Sequence, residues 1–355
     1  MTVQCRDYGR LPDGRLVHEY TLDNGLGLQL TAITLGGIVT GLWVPDRQGS
    51  SANVVLGFDQ LDDYVHRNPF FGIIVGRYAN RIAGARFELD GQTHVLSSNE
   101  GPNCLHGGAE GFGLRLWHAE QDTPRADEAA ALCLSLTSPD GDQGFPGELQ
   151  VRVRYSLSAT ARSWRIDYEA TTDRPTVVNL SHHDYFNLAG HGSALQHRLT
   201  LPASRYTEVD ERLIPQGHAP VQGTPFDFRQ ATPIGSRVGE THPQLLLGKG
   251  YDHNWLLDAP LDADGLRLAA ALEDPLSGRR MEVFTSEPAL QFYSGNYLDG
   301  GPAGRGGRIH ARGDGLCLET QHNPDSPHHA ASDDWPSTVL RPGQTWRSTT
   351  VHVFA

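Results

Sequence analysis

Six short segments of this chain gather side chains that move protons or bind hydroxyl groups. Gly315-Leu316-Cys317-Leu318-Glu319-Thr320-Gln321-His322 carries a carboxylate at the end of a hydrophobic strand. Glu319 there shares a face with Cys317 and is shielded from water, which suits a structural ion pair or a general base whose pKa its surroundings set. In Asn179-Leu180-Ser181-His182-His183-Asp184-Tyr185-Phe186-Asn187-Leu188, an extended backbone places Asn179, Ser181, His183 and Tyr185 on one face. Leu180, His182, Asp184 and Phe186 take the other. The first face is a stripe of hydrogen-bonding groups. The same parity parts His182 from His183, so the pair does not readily chelate one metal ion.

Gly76-Arg77-Tyr78-Ala79-Asn80-Arg81-Ile82 reads either as a salt-bridged, solvated loop or as a hydroxyl-recognition element built on Asn80 and Arg81. Asn103-Cys104-Leu105-His106-Gly107-Gly108 sets a histidine before a glycine turn, where a plain surface His would also fit. In Gly250-Tyr251-Asp252-His253-Asn254-Trp255, Asp252 either caps a turn or binds a ligand. Gln291 interrupts the apolar and aromatic strand Leu290-Gln291-Phe292-Tyr293-Ser294-Gly295-Asn296 and needs partners in the protein or in a ligand. A carboxylate, two histidines, Arg, Asp, Asn and Gln beside aromatic rings suit a neutral polyhydroxylated ligand. A phosphate or nucleotide would call for glycine-rich helix starts, which the sequence lacks.

Strands must position these groups. Leu26, Leu28 and Leu30 alternate with polar or small residues, as do Val151, Val153, Tyr155 and Leu157, then Trp164, Ile166 and Tyr168. Further strands are expected at 198–202, 254–257, 266–272, 280–285, 290–293, 316–320 and 349–354. Helical patterns are short, at 59–66 and 125–132, and the stretch 224–250 reads as a loop around the site. The 40 glycines and 22 prolines punctuate the chain at the short intervals of a sandwich or barrel. The expectation is an all-β fold in one domain spanning 1–355.

A composition of 38% hydrophobic and 20% charged residues is that of a globular protein, and no apolar run reaches the roughly 18 residues of a membrane helix. The first residues carry no signal-type apolar segment, so the expected compartment is the cytoplasm. Cys5, Cys104, Cys133 and Cys317 are widely spaced and read as reduced thiols. A formal net charge of −13 argues against nucleic acid as a partner. Lys249, the only lysine, lacks the flanking residues of a phosphate-binding loop.

In combination and in this order, the six motifs closely resemble the aldose 1-epimerases, also called galactose mutarotases. The likeness runs from about Gly76 to Gln321, and the flanking strands extend it over essentially the whole chain. It implies a large twisted β-sandwich with a sugar in an open cleft; the expected partner is a small-molecule sugar, and the expected assembly a monomer or homodimer. It also implies Glu319 as general base, His183 as general acid and His106 as a second histidine beside the sugar, with Asn80, Arg81, Tyr185, Asp252 and Gln291 positioning it. The resemblance implies no metal and no organic cofactor. Where many relatives carry Asn and Ser around the catalytic histidine, this chain has His182 and Asp184.

Such a site converts α and β anomers of a free hexose, glucose or galactose for example, by taking the O1 proton and giving one to the ring oxygen. Ordinary values near 4.3 for Glu and 6.5 for His leave the carboxylate–imidazolium pattern partly populated at neutral pH, unless a nearby carboxylate raises His183. The competing readings are a hexose-6-phosphate 1-epimerase, a non-catalytic carbohydrate-binding module and, more remotely, a metal-dependent hydrolase.

Overall fold

Alternation makes the first sheet. Along Leu149–Ser158, Val151, Val153, Tyr155 and Leu157 are buried while Gln150 and Arg152 face solvent. The computed structural model, which describes residues 2–301 and 303–355, places this strand in a nine-stranded antiparallel sheet. Its order is His118–Gln121, Glu128–Ser138, Leu149–Ser158, Ser163–Thr172, Trp346–Phe354, Arg280–Thr285, Arg267–Glu273, Arg198–Thr200 and Thr232–Pro233. The chain's last strand lies at its centre, between Ser163–Thr172 and Arg280–Thr285.

A second sheet is a meander of Thr2–Arg10, Leu16–Asp23, Gln29–Ile33, Val39–Pro45 and Ser51–Asn53. A third runs Pro215–Pro220, Arg205–Val209, Asp252–Leu256, Ala289–Tyr293 and Cys317–Gln321. One hydrophobic cluster joins all three, with Leu30 and Val44 from the second, Leu132 and Val153 from the first, and Tyr206, Trp255 and Phe292 from the third. The fold is all-β, with its main core between packed sheets. Helix is confined to two short α-helices, Leu61–His66 and Pro243–Gly248, and to single 3₁₀ turns among the described residues; no helix there is long and apolar enough to cross a membrane.

Three expectations need correction. Residues 125–132 do not form a helix: the strand Glu128–Ser138 starts within them and pairs with Leu149–Ser158. The alanines favour helix locally, but pairing and the burial of alternating Leu132 and Leu134 override that preference. The strand expected from Leu26 begins only at Gln29, because the Asn24 side-chain oxygen accepts from the backbone of Leu26 and Leu28 and bends the chain through Gly25 and Gly27. The stretch 224–250 is not loop throughout, for it contains the Pro243–Gly248 helix. That helix starts with proline in its first turn and His242 accepting from Gln244, and Gln244 then binds both backbone groups of Val209 at 2.8 and 2.9 Å.

Trp255 is fully buried behind the third sheet, its indole N–H donating to the Phe226 carbonyl at 3.1 Å. Trp255→Ala should lower stability by about 3–5 kcal/mol, read as a shift in the urea unfolding midpoint.

Candidate active site

Register in the third sheet brings the polar residues together. Asn254 pairs with Gln291, and Gln291 with Glu319; in the next row Asp252 pairs with Tyr293, and Tyr293 with Cys317. Paired residues project to the same side, so Asp252, Asn254, Gln291, Tyr293, Cys317 and Glu319 share one face. His253, Trp255, Leu290, Phe292 and Leu318 take the other. Gly250, at φ 134°, permits the approach to Asp252: a Cβ there would lie 2.3 Å from Asn296 Oδ1, whose amide ties down the carbonyls of Gly248 and Tyr251.

The Asn179 to Leu188 segment is buried throughout and wedged between the 72–82 segment and the Cys317–Gln321 strand. Gly72 N–H donates to the His183 carbonyl at 2.9 Å and His183 N–H to Ile73 at 3.0 Å, while Ser181 Oγ donates to the Thr320 carbonyl at 2.9 Å. With the backbone thus held on both sides, the expected parity appears. His183 and Tyr185 face the third sheet's polar side. His182 and Asp184 point away, their Nδ1 and Oδ2 2.7 Å apart, and His182 Nε2 lies 2.8 Å from the Tyr155 hydroxyl.

His106 arrives by a turn that only glycine allows, since a Cβ on Gly107, at φ 88°, would sit 2.0 Å from the Gly76 carbonyl oxygen. Asn80 N–H donates to His106 Nδ1 at 3.2 Å, and Arg81 N–H to the Asn80 side-chain oxygen at 2.9 Å. The Arg81 guanidinium grips Glu100 through Nε and Nη2 at 2.8 and 2.6 Å and lies 3.9 Å from Asp252 Oδ2. The neighbouring Arg77 has a different fate. It is buried and donates to the carbonyls of Ser138, Pro139, Pro146 and Gly147, an anchor of the fold.

These groups enclose a cavity of about 280 Å³, lined by Asn80, Arg81, His106, His183, Tyr185, Asp252 and Glu319 among others. His183 Nε2 lies 3.7 Å from Glu319 Oε1. Tyr185 contributes its ring, because its hydroxyl donates to the Pro69 carbonyl at 3.0 Å. Gln291 stands beneath the lining and donates to Asp252 Oδ1 at 2.7 Å, which makes Asp252 its immediate partner. Glu319 Oε2 and Gln291 Oε1 are buried without a hydrogen-bond partner among the described residues. Buried acceptors of this kind call for donors, and hydroxyl groups supply them.

Burial dominates the electrostatics. It holds the Glu319 carboxyl well above its ordinary 4.5, reinforced by the Asp252 charge and opposed by Arg81. It pushes His183 down to about 3 against a backbone hydrogen bond that raises it. His106 also falls well below its ordinary value through burial, then through the charges of His183 and Arg81. The condition of a nearby carboxylate raising His183 is not met: removal from water lowers it although Glu319 lies 3.7 Å away.

His106, His183 and Glu319 each place a potential ligand atom within 4.8 Å of the others, close enough to test as a metal site. The Asn80 N–H pointing at His106 Nδ1 decides the tautomer. The neutral ring then carries its proton on Nε2, which makes that nitrogen a donor and not a metal ligand. The Cys317 thiol, kept protonated by burial, lies 3.5 Å from His183 Nδ1, while Nε2 of the same ring faces Glu319. Nε2 of His183 is then the nitrogen free to gain and lose a proton toward Glu319.

Sequence reasoning did not find Glu100, Phe70, Tyr293 or Tyr297, all of which line the cavity. Tyr293 was within reach, being two residues from Gln291 on the same strand face. Glu100 gave no signal, because its partner Arg81 is 19 residues away and only the fold joins them.

The family model for aldose 1-epimerase matches residues 18–352. The chain is 41% identical over 352 residues to a galactose mutarotase of Pongo abelii, with 98% of this chain and 97% of the relative covered. It is 41% identical to an aldose 1-epimerase of Escherichia coli, covering 97% and 96% of the two chains. Among solved structures, a galactose 1-epimerase from Lactobacillus acidophilus superposes with a TM-score of 0.86 at 28% identity, covering 100% of this chain and 98% of the other.

The charge pattern has a measurable consequence for stability. Glu319's folded pKa is raised, so its contribution is complete below 4.5 and lost as pH climbs, the ionised carboxylate being costly to bury. Glu319→Gln should therefore melt above wild type at about pH 7.5, with the gap closing as pH falls toward 4.5 in a thermal-melt series.

Proposed function

The chain belongs to the aldose 1-epimerase family, whose activity is that of a carbohydrate isomerase, and from that premise we propose that Glu319 and His183 interconvert the α and β anomers of free hexoses such as galactose and glucose. The observation that carries this assignment is the 3.7 Å approach of His183 Nε2 to Glu319 Oε1, in a cavity where the other Glu319 oxygen has no partner.

The cyclic sugar carries a proton on O1 and none on the ring oxygen O5. Opening requires the O1 proton to leave, C1=O1 to form, and the C1–O5 bonding pair to move to O5, which takes a proton. Glu319 as carboxylate accepts the first proton and imidazolium His183 delivers the second from Nε2. Rotation about C1–C2 turns the aldehyde's other face toward O5, and reclosure by the reverse transfers returns both protons. The enzyme ends as it began.

Burial fits this cycle. The ionic pair and the neutral pair hold the same single proton, so exchanging them needs no proton from solvent. Opening the ring turns carboxylate and imidazolium into carboxylic acid and imidazole, the pair that removal from water favours. Opening therefore recovers the cost of forming the ionic pair from the neutral pair that burial favours at rest. His106, a neutral donor at Nε2, suits a sugar oxygen without competing for the transferred proton. Arg81 and Asp252, braced by Glu100 and Gln291, offer a fixed donor and acceptor for ring hydroxyls.

The four cysteines are unpaired, which suits a reducing compartment, and we place the enzyme in the cytoplasm.

Polarimetry on freshly dissolved α-galactose and α-glucose tests the assignment. Glu319→Gln and His183→Asn should each lower kcat by about 10²- to 10⁴-fold, with wild-type activity unchanged by a chelator and higher on glucose than on glucose 6-phosphate. A Glu319→Gln protein as fast as wild type would overturn it. Because kcat/KM reports the free enzyme, its acid limb should fall well below the ordinary histidine value of 6.5 in a pH series, as the depressed His183 requires.

A further inference from the structure

Phe70 is the lining residue that neither catalysis nor packing accounts for. Its backbone is left-handed, at φ 71°, a conformation that a bulky aromatic residue rarely adopts. The residue is 36% exposed, although the next residue, Phe71, is buried in the core. The chain on either side is pinned: Asn68 Oδ1 accepts from Phe71 N–H at 2.7 Å, the Tyr185 hydroxyl donates to the Pro69 carbonyl at 3.0 Å, and Gly72 N–H donates to His183 O at 2.9 Å. The pinned loop holds one aromatic ring out of the core.

The ring's surroundings show where it is held. Its centroid lies 5.0 Å from the His106 ring, met edge-on, and 5.7 Å from that of His183. It lines the sugar cavity on one side and a neighbouring cavity of about 300 Å³ on the other, so open space flanks it where a core side chain would have neighbours. Left-handed strain, exposure and placement beside both histidines coincide on one residue, the pattern expected where the backbone is held for a ligand.

Resting on the epimerase reading above, we propose that Phe70 is a substrate-contacting residue, the platform against which the apolar C–H face of the aldose ring lies. Polar anchors at Arg81 and Asp252 fix the hydroxyl edge of the sugar. A flat apolar wall beside the histidines completes the cavity by taking the C–H face out of water. The contact is made equally by cyclic sugar and transition state, so its loss acts on KM.

The test uses Phe70→Gly and Phe70→Tyr in the full chain. Glycine accepts φ 71° without strain, so the first variant should melt no lower than wild type while removing the ring. Its KM for galactose and glucose should rise about tenfold with kcat within about threefold, whereas Phe70→Tyr should keep KM within about twofold of wild type. Calorimetric titration with methyl β-galactopyranoside, which cannot open, should show the same tenfold loss in affinity for Phe70→Gly. An unchanged KM and an unchanged glycoside affinity would overturn the platform, as would a fall confined to kcat, which would mark Phe70 as a support for the histidines. A wild-type protein inactive on every aldose would instead sink the epimerase reading, and the glycoside titration would then decide the platform by itself.

Discussion

The desolvation of two ionisable side chains held 3.7 Å apart governs the rest of this structure. A buried carboxyl and a buried imidazole both resist charge, the first shifted up and the second down by the same removal from water. That arrangement needs a fixed separation. The protein provides it through backbone hydrogen bonds, with Glu319 on a strand of the third sheet and His183 on a buried segment stitched to its neighbours at nearly every residue.

Polar groups under such a pair call for partners, and the layer below the cavity supplies most of them. Gln291 holds Asp252, Arg81 is divided between Glu100 and Asp252, and Asn254 joins Gln321 to Asn323. Among the described residues, Glu319 on the cavity wall and Gln291 beneath it each keep one buried acceptor without a partner. On the far side, His182 contacts Asp184 and Tyr155 in the core, which leaves His183 as the histidine of this pair that faces the cavity.

Much of this was legible in the chain. Period-two alternation marked Leu149–Ser158, Ser163–Thr172 and Arg280–Thr285 because each is buried on one face. Parity alone separated His183 from His182. The motif order pointed to Asn80, Arg81, His106, His183, Tyr185, Asp252 and Glu319, which line the cavity, and to Gln291 beneath it, but not to Phe70, Glu100, Tyr293 or Tyr297. What misled were places where local preference and tertiary demand disagree: the alanines before Leu132, drawn into a strand by their partner, and the glycines after Asn24, turned by a side-chain oxygen.

Residue types, their alternation and their order were determined by the sequence by itself, because side-chain direction along an extended strand follows from covalent geometry. Register, burial and the meeting of distant groups were decided only by the tertiary structure. Gln291 faces Glu319 because two strands pair in one alignment, and a slip of one residue would turn both faces over. Arg81 meets Glu100, and Phe70 stands beside His106, because loops converge there. The protonation of Glu319 and His183 depends on how much water the assembled fold removes, a quantity that no local stretch of sequence contains.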